Sequence, residues 1–275
     1  MALLQISDEL TVRTLSALLM SVVAAVALWN SVWTFTALTI VLSSAMCWEW
    51  GRAVRSKLFD AGHVVHIAAI AIVAIASSVN SYSLAGTTLI VGMIVMAALQ
   101  NKKHCFVSTM GLAYIAVPVF ALIYLRNDEP YGIHAVFFIF FVVASHDTFA
   151  MLVGKIVGGP LLWPYLSPNK TWSGVIGGLA ASYFSGLLFA LVFCYDSIIW
   201  LGALGLVIGA SGCVGDLLES AFKRYYGLRH ASSLIPGHGG VLDRFDGIII
   251  ASSVAVLIGF IIEQGAPARA LMLAH

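Results

Sequence analysis

The sequence predicts an all-α, polytopic integral membrane bundle of about nine transmembrane helices with a cytoplasmic N-terminus. Three observations carry that expectation. The 275 residues are 60% hydrophobic and only 10% charged, where a soluble domain carries about 25% charged residues. Nine apolar runs approach the length of about 20 residues that crosses a bilayer; they are 12–29, 33–48, 63–80, 83–100, 106–125, 133–154, 174–195, 197–215 and 247–263. Finally, the fixed positive charges sort to one side when these runs are taken as spans.

The first run could be read as a signal peptide. Asp8 and Glu9 spoil the basic leader, and no small-residue cleavage site follows, so it is expected to stay as a span. The second run is the shortest and the weakest. Alternating the loops after each run puts Arg13, Arg52, Arg55, Lys57, Lys102, Lys103, Lys155, Lys170, Lys223, Arg224, Arg229 and Arg244 on one side, and only Arg126 and Arg269 on the other. Lys/Arg-rich loops face the cytoplasm, so the N-terminus is expected inside, the C-terminus outside and the number of spans odd.

Residues 1–130 read as N-terminal transmembrane helices joined by short basic loops, whose use is topology and contact with anionic lipid. Residues 131–275 carry the chemistry and read as a catalytic transmembrane region with a cytoplasmic-face active site. Cys47, Cys105, Cys194 and Cys213 lie singly among apolar residues, without zinc or disulfide spacing; they are expected to be small buried residues. The net charge of +1 and the lack of a basic tail give no reason to expect nucleic acid.

Three constellations stand at the ends of the later runs, and charge beside hydrocarbon marks a functional site by default. Asp216, Glu219, Ser220 and Lys223 fall at i, i+3, i+4 and i+7, one face of a helix continuing out of the eighth run. An exposed helix end would account for a Glu219–Lys223 pair, but not for Asp216 directly after an apolar run. The second constellation is Pro236-Gly-His-Gly-Gly240 followed by Asp243, Arg244 and Asp246. Glycines let a backbone approach a ligand closely, and carboxylates three apart suit Mg²⁺ beside phosphate oxygens. An ordinary turn and helix start would favour acids here too, though not such charges packed against the membrane. His238 reads equally as ligand, phosphate donor or turn residue.

In the third, Asp147 near the end of the sixth run needs a cationic partner, with Lys155 and Lys170 as the candidates. Ser167, Asn169, Lys170 and Thr171 open the seventh helix. Plain N-capping would explain them, and so would a phosphate site of helix amides plus lysine. The glycine pairs Gly154/Gly158 and Gly205/Gly209 match the close-packing motif of membrane helices. Packing within the chain is their expected use, and a homodimer the alternative. No Walker sequence is present, which excludes a P-loop as the source of phosphate binding.

The stretch Ser220-Ala-Phe-Lys-Arg224, then Leu234-Ile-Pro-Gly-His-Gly-Gly-Val-Leu-Asp-Arg-Phe-Asp246, closely resembles the signature of the phosphatidate cytidylyltransferase (CDP-diacylglycerol synthase) family. Asp147-Thr148, Gly154-Lys155, Trp163-Pro-Tyr-Leu-Ser-Pro-Asn-Lys-Thr-Trp-Ser-Gly174 and Gly215-Asp-Leu-Leu-Glu-Ser220 resemble its other blocks. The likeness covers roughly the last 130 residues in order and spacing; the N-terminal half matches only in being spans. It implies a reaction in which CTP and phosphatidate give CDP-diacylglycerol and pyrophosphate, with Mg²⁺ and with or without a second cation. It also implies a bacterial plasma-membrane location. Matched by motif position, the metal ligands are Asp216, Asp243 and Asp246, and the catalytic cations Lys223, Arg224 and Arg244. Substrate would be held by Asp147, Lys155, Ser167, Asn169, Lys170, Thr171, Ser220, His238, Gly239 and Gly240. One departure stands out: the family's usual Lys-Asp is Arg229-His230 here, which removes a negative charge near the implied metal site. A CTP-dependent lipid-alcohol kinase and an inactive paralogue acting as a membrane scaffold remain the alternatives. A transporter would show inverted repeats and mid-membrane acids, and neither is seen.

Overall fold

The computed structural model describes residues 2–100, 102–235 and 239–273, with side chains from Leu15 onward. Its order is α1 (Ala2–Asn30), α2 (Val32–Arg55), α3 (Ala61–Ser78), α4 (Tyr82–Leu99), α5 (Lys102–Asn127), α6 (Gly132–Val157), β1 (Leu161–Trp163), β2 (Ser167–Thr171), α7 (Trp172–Val192), α8 (Ile198–Tyr225), α9 (Leu242–Ile262) and α10 (Pro267–Leu273). Each of the nine apolar runs falls on one of α1 to α9. Among the described residues eight helices, α2 to α9, are long and apolar enough to cross a membrane, and α1 adds the shorter apolar stretch Leu15–Asn30. These are the helices of a multi-pass membrane protein.

The breaks between helices have local causes. Ser31 and Asp60 each form a capping box, with Thr34 and His63 respectively, and so start α2 and α3. Gly158 stops α6 with φ +65, a backbone conformation open to glycine. Thr171 starts α7 by accepting the Gly174 amide at 3.1 Å.

Two departures from expectation follow. The segment expected only to open and cap the seventh helix is paired as an antiparallel hairpin, with Leu161 opposite Thr171 and Trp163 opposite Ser167. Cys194 is exposed rather than buried, because it sits in the turn after α7 at φ 56.

The chain divides into two compact units. One comprises residues 1–123 and 226–245, the other 124–225 and 246–275. In the first, α1 to α4 pack as successive neighbours, and Met46, Trp50, Ile70, Val73, Leu112 and Ile115 belong to its core. Two positive charges expected in a solvated loop are instead part of this unit. Arg55 is buried and its Nε reaches Asp60 Oδ2 at 2.9 Å, while Arg52 donates to the Ala231 carbonyl at 2.8 Å. Both belong to the last turn of α2, which runs on beyond the apolar run.

In the second unit α7 packs against both α6 and α8, around Phe138, Ile139, Phe189, Leu201 and Ile208. Glycines permit the close approach. Gly154 of α6 faces Thr171 and Gly174, and Gly205 and Gly209 of α8 face Ser182 of α7. Gly158, the fourth member of the two glycine pairs, meets open space. Asp128 Oδ2 accepts the Ala268 and Arg269 amides at 2.7 and 3.0 Å and so fixes the start of α10.

Candidate active site

The acids of the second unit converge. α8 is one continuous helix to Tyr225, so Asp216, Glu219, Ser220 and Lys223 share a stripe, as their spacing predicts. Gly215 then matters for what that stripe meets. A methyl group there would collide with the Asp246 carbonyl oxygen, so glycine lets α8 lie directly on α9. As a result Asp216, Glu219 and Asp246 each offer a carboxylate oxygen, all within 4.8 Å of one another. Asp246 is further fixed by its Oδ1, which accepts the Gly247 amide at 2.7 Å.

Gathering carboxylates at a membrane edge is costly unless they are offset. Lys170, from the hairpin, pairs with Asp216, and Lys223 lies 2.6 Å from Glu219 Oε2. Two ammonium groups against three carboxylates leave one negative charge in excess. Asp147 is near enough for its charge to act on Asp246. Asp147 is half exposed and 3.2 Å from His146 Nδ1; Lys155 is exposed on α6. Hard oxygen donors with an unbalanced negative charge are what a Mg²⁺ takes, phosphate oxygens completing its shell. The donor set therefore fits such an ion.

The other predicted residues of this unit are placed around the hairpin and α8. Ser167 is buried on β2, Asn169 is exposed and Thr171 is occupied in capping α7. Ser220 is half-buried. Arg224 is exposed and donates to the Leu166 carbonyl at 3.4 Å.

Asp243 belongs to the first unit, and there its Oδ2 accepts the amides of Gly240 at 2.9 Å and Ala231 at 3.1 Å. It ties the two ends of the glycine-rich loop together. His230, at the position where the sequence departs from the family signature, has its Nδ1 3.7 Å from the same oxygen. Gly239 pairs with Ile235 through two backbone hydrogen bonds at φ +88, a conformation glycine adopts freely. Gly240 is buried and Arg244 exposed; His238 lies outside the described residues.

Sequence reasoning missed the residue that holds this loop from behind. Glu49 of α2 is fully buried. Its carboxylate accepts from Ser232 Oγ, from the Val241 amide at 2.9 Å and from the Leu242 amide at 2.7 Å. It satisfies the amide donors that the start of α9 would otherwise leave without a partner. The one available signal was an acid directly after an apolar run in an otherwise uncharged stretch. Glu219 was legible as part of the α8 stripe but not as a member of the carboxylate cluster.

The phosphatidate cytidylyltransferase of Brucella abortus biovar 1 (strain 9-941) is 33% identical over 258 residues, 94% of this chain and 96% of the relative. The phosphatidate cytidylyltransferases of Staphylococcus saprophyticus and Staphylococcus aureus (strain COL) are 38% and 40% identical over 138 residues, 50% of this chain and 52% of each relative. The pattern of the cytidylyltransferase family matches residues 11–262, spanning both the buried acid of α2 and the carboxylates of α8 and α9, and the chain therefore belongs to that family.

Proposed function

We propose that this chain is a phosphatidate cytidylyltransferase, joining CTP and phosphatidate into CDP-diacylglycerol with release of pyrophosphate. The observation that carries this is the Asp216–Glu219–Asp246 cluster, flanked by Lys170 and Lys223. Carboxylates and cations interleaved in this way suit the joining of two polyanions.

The nucleophile is a phosphate oxygen of phosphatidate, which attacks the α-phosphorus of CTP. A phosphomonoester has a second pKa of about 6, so it is largely dianionic at neutral pH and needs no strong general base. The obstacle is charge repulsion. Asp216 and Asp246, with Glu219, would hold Mg²⁺, which when bound supplies charge neutralisation for the triphosphate. Lys170 and Lys223 restrain the carboxylates and present ammonium groups to phosphate oxygens. Arg224 and Arg244 each supply an exposed guanidinium fork suited to a phosphate oxygen. Asp243 keeps the glycine-rich loop closed through Gly240 and Ala231, so that the Gly239 and Gly240 backbone is set for a phosphate. The excess of Lys and Arg in alternate connections supports an active site facing the cytoplasm of a bacterial plasma membrane, where CTP is.

The test is to incubate purified protein in detergent with CTP, phosphatidate and Mg²⁺ and to measure pyrophosphate and CDP-lipid together. Both products are expected, and both are expected to vanish in Asp246→Asn. Release of CDP on adding a lipid alcohol, without CDP-lipid, would overturn the reading in favour of a kinase.

A further inference from the structure

Between α6 and α7 the chain exposes apolar and aromatic side chains that the fold does not cover. Tyr165 at the hairpin tip is 89% exposed, Ile156 82% and Trp163 54%; Val157 and Trp172 are exposed as well. The hairpin is not slack. Its turn is closed by the Leu166 amide on the Trp163 carbonyl at 3.1 Å. Its root is closed by the Trp172 amide on the Pro160 carbonyl at 3.1 Å and by Ser173 on the Gly158 carbonyl. Arg224 reaches the Leu166 carbonyl from α8, and Lys170 reaches Asp216. These side chains are therefore held outward by a braced backbone.

We propose that this hairpin lies in the headgroup layer of the bilayer, with Tyr165 and Trp163 at the acyl boundary, and that it forms a lipid-facing rim of the carboxylate site. Continuity with the membrane argues for this occupant. α6 ends at Val157 and α7 begins at Trp172, both candidate spans, so the connection leaves and re-enters at one membrane surface. Strands that rise about 3.3 Å per residue and are this short cannot carry Trp163 far from that surface. Trp and Tyr are the side chains that settle at a membrane interface, apolar body inward and polar tip outward. The exposed Lys155 beside them complements anionic headgroups. Because Lys170 sits on the same hairpin as Trp163, a phosphate-bearing headgroup drawn to the rim is already next to the Asp216 pair. That last step rests on the proposed reaction; the insertion does not.

Insertion is tested with the full chain. Cys105 and Cys194 are replaced by Ser, leaving the buried Cys47 and Cys213, and Tyr165→Cys is labelled with a nitroxide. The protein is reconstituted in phosphatidylcholine–phosphatidylglycerol vesicles. Collisions with oxygen are expected to exceed those with a water-soluble nickel chelate. The opposite ratio overturns the proposal, as does the spin–spin broadening that a second copy docked on the hairpin would give. In parallel, the double variant Trp163→Ser, Tyr165→Ser is expected to lose several-fold in rate on long-chain phosphatidate in vesicles while keeping its rate on short-chain, water-dispersed phosphatidate. An equal fall on both substrates overturns the rim role. A wild-type protein that makes no CDP-lipid but inserts its label would sink the reaction and leave the insertion standing.

Discussion

Glu49 holds the first residue of α9, Leu242, through a 2.7 Å hydrogen bond from the Leu242 amide to Oε2, across 193 positions of sequence. Its other oxygen takes the Val241 amide and the Ser232 hydroxyl. Glutamine has one acceptor oxygen where glutamate has two, so Glu49→Gln turns an N–H towards a donor. Leaving a buried amide without an acceptor costs about 1–3 kcal/mol. Both Glu49→Gln and Glu49→Ala are expected to unfold at lower temperature in detergent and to lose cytidylyltransferase activity. An unchanged unfolding midpoint for Glu49→Ala would show that the carboxylate does not hold the loop.

Gly215 offers a sharper geometrical test. Replacement by Ala puts a methyl group on the Asp246 carbonyl, and overpacking of this kind costs about 1–3 kcal/mol. The two helices must part, which separates Asp246 from Asp216 and Glu219. Gly215→Ala is therefore expected to lose activity out of proportion to its loss of stability. Gly86→Ala, inside α4 where nothing lies within 4 Å, is the control: its activity should stay at the wild-type level and its unfolding temperature should not fall.

Metal binding can be followed without turnover. Mn²⁺ added to the purified protein should lose its free-ion paramagnetic signal on binding, with weaker binding in Asp216→Asn, Glu219→Gln and Asp246→Asn alike. If Glu219→Gln bound the ion as tightly as wild type, Glu219 would serve only to pair Lys223.

A separate pH effect should arise in the first unit, at Asp60. Burial alone would raise its pKa, but the nearby Arg55 charge and the hydrogen bonds from His63 and Arg55 together bring it below the usual carboxylate value. A carboxylate depressed by folding contributes stability above its ordinary pKa of about 3.9 and loses it as pH falls through the folded value. Asp60→Asn is thus expected to lower the unfolding temperature at pH 7, and the gap from wild type should close as the pH falls below about 4. A gap that stayed constant down to that pH would show that the charge is not what matters.

Much of this protein can be read from its sequence, because burial in lipid writes itself as length. Nine apolar runs became nine helices, and the Asp216-to-Lys223 spacing became a helical stripe with its i,i+4 pair in place. The parts that were hidden depend on who meets whom. Nothing local tells that Asp243 gives an oxygen to the Ala231 and Gly240 amides. Nothing local tells that Arg52, a loop charge by its position after an apolar run, donates to a carbonyl 179 residues away. The hairpin was hidden for another reason: Ser167-Pro-Asn-Lys-Thr171 has the composition of a turn and a helix cap, and only its pairing with Leu161–Trp163 makes it a strand.

The long reach of Glu49 bears on how the chain is made. α2 leaves the ribosome and enters the membrane long before residues 231–242 exist, so its acid must wait, hydrated or held by the insertion machinery, for the segment that will accept it. The first unit cannot close until residues 226–245 have been made. A chain arrested after α8 would carry a charged residue with no amides to receive it, a ready mark by which membrane quality control could tell an unfinished molecule from a complete one.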